Sequence, residues 1–238
     1  MTGSGWRRRR RANSQSGQAA VEALIVLPVV VLTVLLVVQL LWLVFANATF
    51  RVAVSYSLRA GSINHGSRLA MERTLVAAMA SLEPVWFAGE APEPSRFELR
   101  RMQLKVTAKQ WLHYQLTGRL QVHRPTAETS REESERRYDL TSARWLQELA
   151  IDHARTRTSQ ADAQRWQRQR ELDIEVWWCL PLEVPFAAQV LSQMKQWWGD
   201  PAQRHCAVRE QLLGRPMWAL QRRLAAPLQS GYREGLNP

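Results

Sequence analysis

Gly17-Gln18-Ala19-Ala20-Val21-Glu22 leads directly into Ala23 to Ala46, 24 residues without a charge, broken only by Pro28, Thr33 and Gln39. As an α-helix rising ~1.5 Å per residue, this run is about 36 Å long, enough to cross a hydrocarbon core of about 30 Å with some tilt. The helical pattern continues beyond it. Phe50, Ala53, Val54, Ser57, Leu58 and Gly61 fall at i, i+3, i+4, i+7, i+8 and i+11, a narrow stripe of small and apolar residues. Small residues along such a stripe let a second helix approach closely. One N-terminal helix is therefore expected over 18–62, with the membrane span at 23–46. Gly61-Ser62 and the Asn64-His65-Gly66 turn end it.

Ahead of the helix lies a short basic leader, residues 1–17, with Arg7 to Arg11 in a row and no acidic residue before Glu22. The chain of 238 residues has a net charge of +11; without the leader, 27 basic side chains face 21 acidic ones, a net of +6. Positive charge beside an apolar span holds that end in the cytoplasm, which would put the rest of the chain across the membrane. The competing reading of the arginines is a nucleic-acid or nuclear-targeting patch. The nearby span favours a membrane partner and no nucleic acid. Ala46-Asn47-Ala48 offers an alternative signal-peptidase site, but the apolar run is much longer than a secretory signal's.

Residues 63–238 are long enough for one ordinary domain. Arg68 to Leu82 reads as a short amphipathic helix, and Pro84 to Pro94 as a loop. Phe97 to Thr107 and Tyr114 to Val122 read as strands, the second by its alternation of apolar and polar residues. Arg124 to Arg137 reads as a polar loop and Leu140 to about Arg170 as a helix. Leu172 to Leu180 is the clearest strand: Leu172, Ile174, Val176, Trp178 and Leu180 make one wholly apolar face. Phe186 to Trp198 reads as a helix, and Met217 to Tyr232 is open between edge strand and helix. The expected fold class is α+β: a long transmembrane helix followed by a mixed helix and antiparallel-strand domain across the membrane.

Signatures of catalysis are missing. The sequence has no HExxH, no G-x-S-x-G, no P-loop and no CxxC pair. His65, His113, His123, His153 and His205 are scattered without metal-ligand spacing. No enzyme activity, cofactor or metal is expected. The tryptophans read as core and interface filling, with Trp177-Trp178 and Trp197-Trp198 as a candidate exposed contact surface. Cys179 and Cys206, an even pair in a translocated domain, are compatible with one disulfide.

One sharp constellation remains, Gly17 with Glu22. A carboxylate at the mouth of an apolar span is costly to leave unpaired. Cleavage after Gly17 would create an α-amine on Gln18, cationic at neutral pH and one helical turn from Glu22. That amine could pair with Glu22 of the same subunit or of a neighbour. The alternative is a boundary glutamate facing headgroups.

The run from Gly17 to Pro28, followed by Ala48 to Ala53 and Leu58 to Gly66, resembles the N-terminus of TadE/TadG-like proteins, pseudopilin-type components of the tight-adherence pilus system. Many members have an aromatic residue after the glutamate, where this chain has Ala23. The resemblance implies processing after Gly17 by a prepilin peptidase. It also implies subunit registration by Glu22 and partnership with other pilus-assembly subunits and pseudopilins at the bacterial inner membrane. It leaves open a membrane-anchored periplasmic module of a secretion or envelope complex.

Overall fold

The structure, a computed structural model, describes residues 16–83, 95–152, 162–195 and 199–234. Helix α1 (Ser16–Ile63) runs unbroken for 48 residues. Pro28 lies inside it, where its missing N–H frees a carbonyl one turn back. Its C-terminus is held by the far end of the chain. The amides of Gln229 and Ser230 donate to the Ser62 carbonyl at 3.0 and 2.9 Å, and the Arg233 amide donates to the His65 carbonyl at 3.0 Å. Helix-end carbonyls that have no partner within the helix are satisfied in this way. The chain turns through His65 (φ 57°) and Gly66 (φ 76°).

The small stripe is the contact face expected of it, and the helix it receives belongs to the same chain. Phe50, Ala53, Val54, Ser57, Leu58 and Gly61 are all buried. Helix α2 (Arg68–Met79), continued as one 3₁₀ turn to Leu82, packs along them. Ser57 Oγ donates to the Met71 carbonyl at 2.9 Å, a buried hydrogen bond between the two helices. At Gly61 a β-carbon would come 2.5 Å from Met71 Sδ and 2.8 Å from Leu172 Cδ2.

The next segment corrects the sequence reading. Residues 96–117 form helix α3 (Arg96–Thr117), not a strand over 97–107. Ser95 and Glu98 make a reciprocal capping box, with Glu98 N donating to Ser95 Oγ at 3.3 Å and Ser95 N to Glu98 Oε2 at 2.8 Å. The residues that follow are mostly good helix formers. Gly118 ends the helix, and only then does β1 (Arg119–Arg124) begin, so the expected strand from Tyr114 starts late. The polar loop holds a short helix, α4 (Ala127–Glu133), and runs into β2 (Glu135–Asp139).

The helix expected over 140–170 is also corrected. β3 (Arg144–Glu148) pairs antiparallel with β2, and the ring of Tyr138 meets its cross-strand partner Trp145 edge-on at 5.5 Å. Turn chemistry decides this. The Asp139 carboxylate accepts from the amides of Thr141 and Ser142 at 3.3 and 3.2 Å, and Ala143 takes φ 51°. Among the described residues of this stretch, helix occurs at α5 (Ala163–Gln169); residues 153–161 lie outside them.

The strand read most clearly, β4 (Glu171–Pro181), is the centre of a three-stranded antiparallel sheet ordered β1-β4-β5. β5 (Met217–Pro227) resolves the open segment as a strand paired with β4 along its whole length. Leu172, Ile174, Val176, Trp178 and Leu180 face the main core, together with Ala46 to Leu58 of α1, Met71 to Met79 of α2, Tyr114, Leu149 and Leu220. The opposite face is also covered near its end. Trp177 and Cys179 meet Ala202 and Cys206 of helix α7 (Pro201–Leu213). Between the strands lies α6 (Ala187–Met194), shorter than the helix expected to reach Trp198; Trp197 and Trp198 lie outside the described residues. The result is the expected α+β arrangement on the end of a long apolar helix.

Gly61→Val should destabilise the domain by about 1–3 kcal/mol, because Met71 and Leu172 close the space from two sides. Chemical denaturation of the purified full chain in detergent checks this; an unchanged midpoint would contradict the close approach of α1 and α2.

Candidate functional site

Gly17 and Gln18 lie in the first turn of α1, and Glu22 follows on the same helix with its side chain exposed. Glu22 makes no ion pair among the described residues. The arginine run and the rest of the leader, where a nucleic-acid reading would rest, lie outside them. Gly17 and Glu22 are thus on one continuous helix, about 7.5 Å apart along its axis at ~1.5 Å per residue. An amine at residue 18 would begin that helix one turn from the carboxylate, as the sequence suggested.

Beyond Glu22 the helix is naked. Leu24 is 73% exposed and Leu27 64% exposed, and every residue from Val21 to Val31 is exposed. The most apolar window has mean hydropathy 3.0 and is only 6% buried. A core helix of a water-soluble domain would be covered, whereas a helix with exposed apolar faces all round suits lipid. Among the described residues this is the one helix long and apolar enough to cross a membrane. Thr33 Oγ1 donates back to the Val29 carbonyl at 2.8 Å, which hides its hydroxyl within the helix.

Sequence reasoning passed over Gln39. It is fully buried although it lies in the apolar run, and its Oε1 accepts the Val184 amide at 3.0 Å. Its Nε2 has no hydrogen-bond partner among the described residues. Around it, Leu36 and Leu43 of α1 meet Leu182, Ala188 and Leu191. The domain thus grips the helix well before the uncharged stretch ends. A lone amide in an otherwise apolar run was the available signal.

Cys179 and Cys206 form a disulfide, with Cα atoms 5.5 Å apart, joining central β4 to α7. The Trp177-Trp178 pair is not the exposed surface considered from the sequence. Trp178 is 2% exposed and stacks on Tyr114 at 6.0 Å. Trp177 lies beneath Arg119 at 4.8 Å and meets His205 edge-on. Tyr114 in turn donates to Glu72 at 3.0 Å, and Arg68 Nε donates to the same oxygen at 2.8 Å. Burial pushes the Tyr114 phenol well above its usual range.

The described histidines are structural. His113 Nε2 is 2.7 Å from the Cys179 carbonyl, and His205 Nε2 is 3.0 Å from the Thr117 carbonyl; burial lowers the basicity of both. His65 Nδ1 is 2.8 Å from the Gly231 carbonyl, and His123 Nε2 is 2.8 Å from Glu175; His153 lies outside the described residues. Asp173, 3% exposed at its side chain, is held between Arg223 and Arg124, with Nη2 atoms 2.7 and 3.1 Å from Oδ2. The hydrogen bonds from Arg223, then those from Arg124, hold its carboxyl below the usual range against the opposing effect of burial. No group of three or more metal-ligating side chains occurs among the described residues.

These features define a class, an α+β domain built around one end of a membrane-length helix whose other end carries Gly17 and Glu22. Residues 17–59 match the family model described as TadE-like protein, and the whole match lies within α1. No curated protein and no solved structure matches the chain.

Two outcomes follow from this geometry. Replacing both cysteines with alanine should cost about 2–5 kcal/mol on denaturation, since the bridge closes a separation of 27 residues; an equal midpoint for the double variant would show that the bridge does not constrain the fold. Acid should act in two stages. Below about pH 6.5 the unfolded chain protonates histidines that burial keeps neutral, and below about pH 4 it protonates the Asp173 carboxyl. The stability difference between wild type and Asp173→Asn should therefore be constant above about pH 4 and shrink below it, as denaturation midpoints across pH would show.

Proposed function

We propose that the protein is a pseudopilin-like, single-pass component of tight-adherence pilus assembly and acts as a structural subunit rather than an enzyme. The observation that carries this reading is the TadE-like match over residues 17–59, which starts at Gly17 and includes Glu22 and the apolar span. In this reading the arginines stay in the cytoplasm and residues after the span face the periplasm, where the disulfide is stable. A prepilin peptidase cuts after Gly17. Glu22 then meets the α-amine of a neighbouring subunit in the membrane and sets its register.

The exposed section of α1 supports a lateral role, because residues 21–31 leave every face free for lipid or for other helices. A second reading, a membrane-anchored module that never enters a filament, is favoured by the other half of the helix. There the small stripe is already filled by α2 and is closed to a neighbouring subunit.

The mature N-terminus tests the processing step: peptide mass spectrometry should find a chain beginning at Gln18. A chain that keeps its leader or begins at Thr49 would sink the prepilin reading. Glu22→Gln should insert and fold normally, yet recover fewer pilus-assembly components by pulldown at equal protein level. Unchanged recovery and unchanged surface adherence would leave Glu22 a boundary residue only.

A further inference from the structure

Phe186 has no structural explanation among the described residues. It takes φ 62° and ψ −50°, and the Ala187 amide donates to the Pro185 carbonyl at 2.7 Å across it. This is a γ-turn of the positive-φ form, which is rare and strained for a residue with a β-carbon. Such strain usually persists where surrounding packing enforces it or where function uses it. Packing does not hold the ring here, since Phe186 is 65% exposed.

Its height on α1 is fixed. Two residues before it, Val184 is tied to Gln39, and two after it, Ala188 packs with Leu182 and Leu191 beside Leu36 and Leu43. From Glu22 to Gln39 is about 26 Å along the helix at ~1.5 Å per residue. With Glu22 at one face of a hydrocarbon layer about 30 Å thick, the opposite face falls near Trp42. Moving Gln18 to the first face brings the opposite face to about Val38. Either placement puts the turn at the boundary of the layer. The surrounding composition agrees, because Glu183 and Gln189 are the only polar residues from Leu180 to Leu191. At the same height the free faces of α1 are apolar too, with Leu41 64% and Val44 68% exposed.

We infer that Phe186 and its γ-turn insert into the lipid of the bilayer that α1 spans, so that the domain rests on the membrane instead of standing above it. The occupant is lipid because the turn continues the apolar band of the span at the same height, where aromatic rings favour the boundary between acyl chains and headgroups. This rests on the membrane-anchoring part of the reading above and on none of its pilus chemistry.

Spin labels decide it. Phe186→Cys, Leu27→Cys and Leu140→Cys, each nitroxide-labelled in the full chain with its native disulfide intact, go into vesicles of phosphatidylethanolamine and phosphatidylglycerol. Collisions with oxygen, concentrated in lipid, are compared with collisions with a water-soluble nickel chelate. The Leu27 label must favour oxygen, or the anchor itself is wrong. The Leu140 label, on the distant β2–β3 turn at a residue 87% exposed, must favour the chelate. The label at 186 is expected to favour oxygen. A chelate-favouring signal there, like that at 140, overturns the inference, as does a label shielded from both reagents, which means a protein partner. If Phe186→Cys does not fold, Pro185→Cys beside it gives the same reading.

Discussion

Residues 46–61 of α1 belong to the core of the domain, while residues 21–31 of the same unbroken helix are bare and apolar. The fold therefore has no linker between anchor and body. Phe50, Val54 and Leu58 are buried against α2 and β4, and removing the helix would uncover the main core. The rest follows from that sharing. A helix that must leave an apolar medium and immediately enter a packed interior needs small residues where α2 crosses it, and Ala53, Ser57 and Gly61 supply them. It also needs its last carbonyls satisfied, and the segment 229–233 at the far end of the chain does this. The end of α1 and a segment far along the chain are thus closed onto one another, as in the 168-residue separation between Ser62 and Ser230.

Strand β4 is the second shared element. Its two faces serve different partners: α1 and α2 cover one, and α7 covers the end of the other through the Cys179–Cys206 bridge. The uncovered part of that second face is polar, with Asp173 and Glu175 met by Arg124, Arg223 and His123 from the flanking strands. A carboxylate with almost no exposure requires such partners, because an unpaired buried charge is strongly destabilising. The strand's alternation therefore encodes one wholly apolar face and a second face divided between disulfide packing and ion pairs.

How much of this could be read in advance depended on whether local pattern and tertiary context agreed. The apolar span, the small stripe and the alternation of 172–180 have strong periods, and each formed as read. The cysteine pair was compatible with a bridge by number, although only the packing of α7 on β4 explains why these two meet. Residues 96–117 were misread because their apolar positions fit neither period cleanly, while the decisive signal was the Ser95 and Glu98 cap. Residues 140–148 were misread because alanine, leucine, arginine and glutamine suggested helix, whereas Asp139 made a turn and Tyr138 found Trp145 across a hairpin. Gln39 could not be assigned a partner from sequence, because Val184 lies 145 residues away.

Glu22 and Gln39 are two heights on one continuous helix. Each is a polar group in an apolar stretch, but their environments differ: Glu22 is exposed near the start, and Gln39 is buried against the Val184 amide. Their spacing, about 26 Å at ~1.5 Å per residue, is close to one hydrocarbon thickness of about 30 Å. The distance between Glu22 and the underside of the domain is therefore set along one unbroken helix. Any movement of α1 along its axis has to carry the whole domain with it, because residues 46–58 cannot slide without opening the core. A contact made by Glu22 at one end would then fix the height of the domain at the other, with no conformational change needed to transmit it.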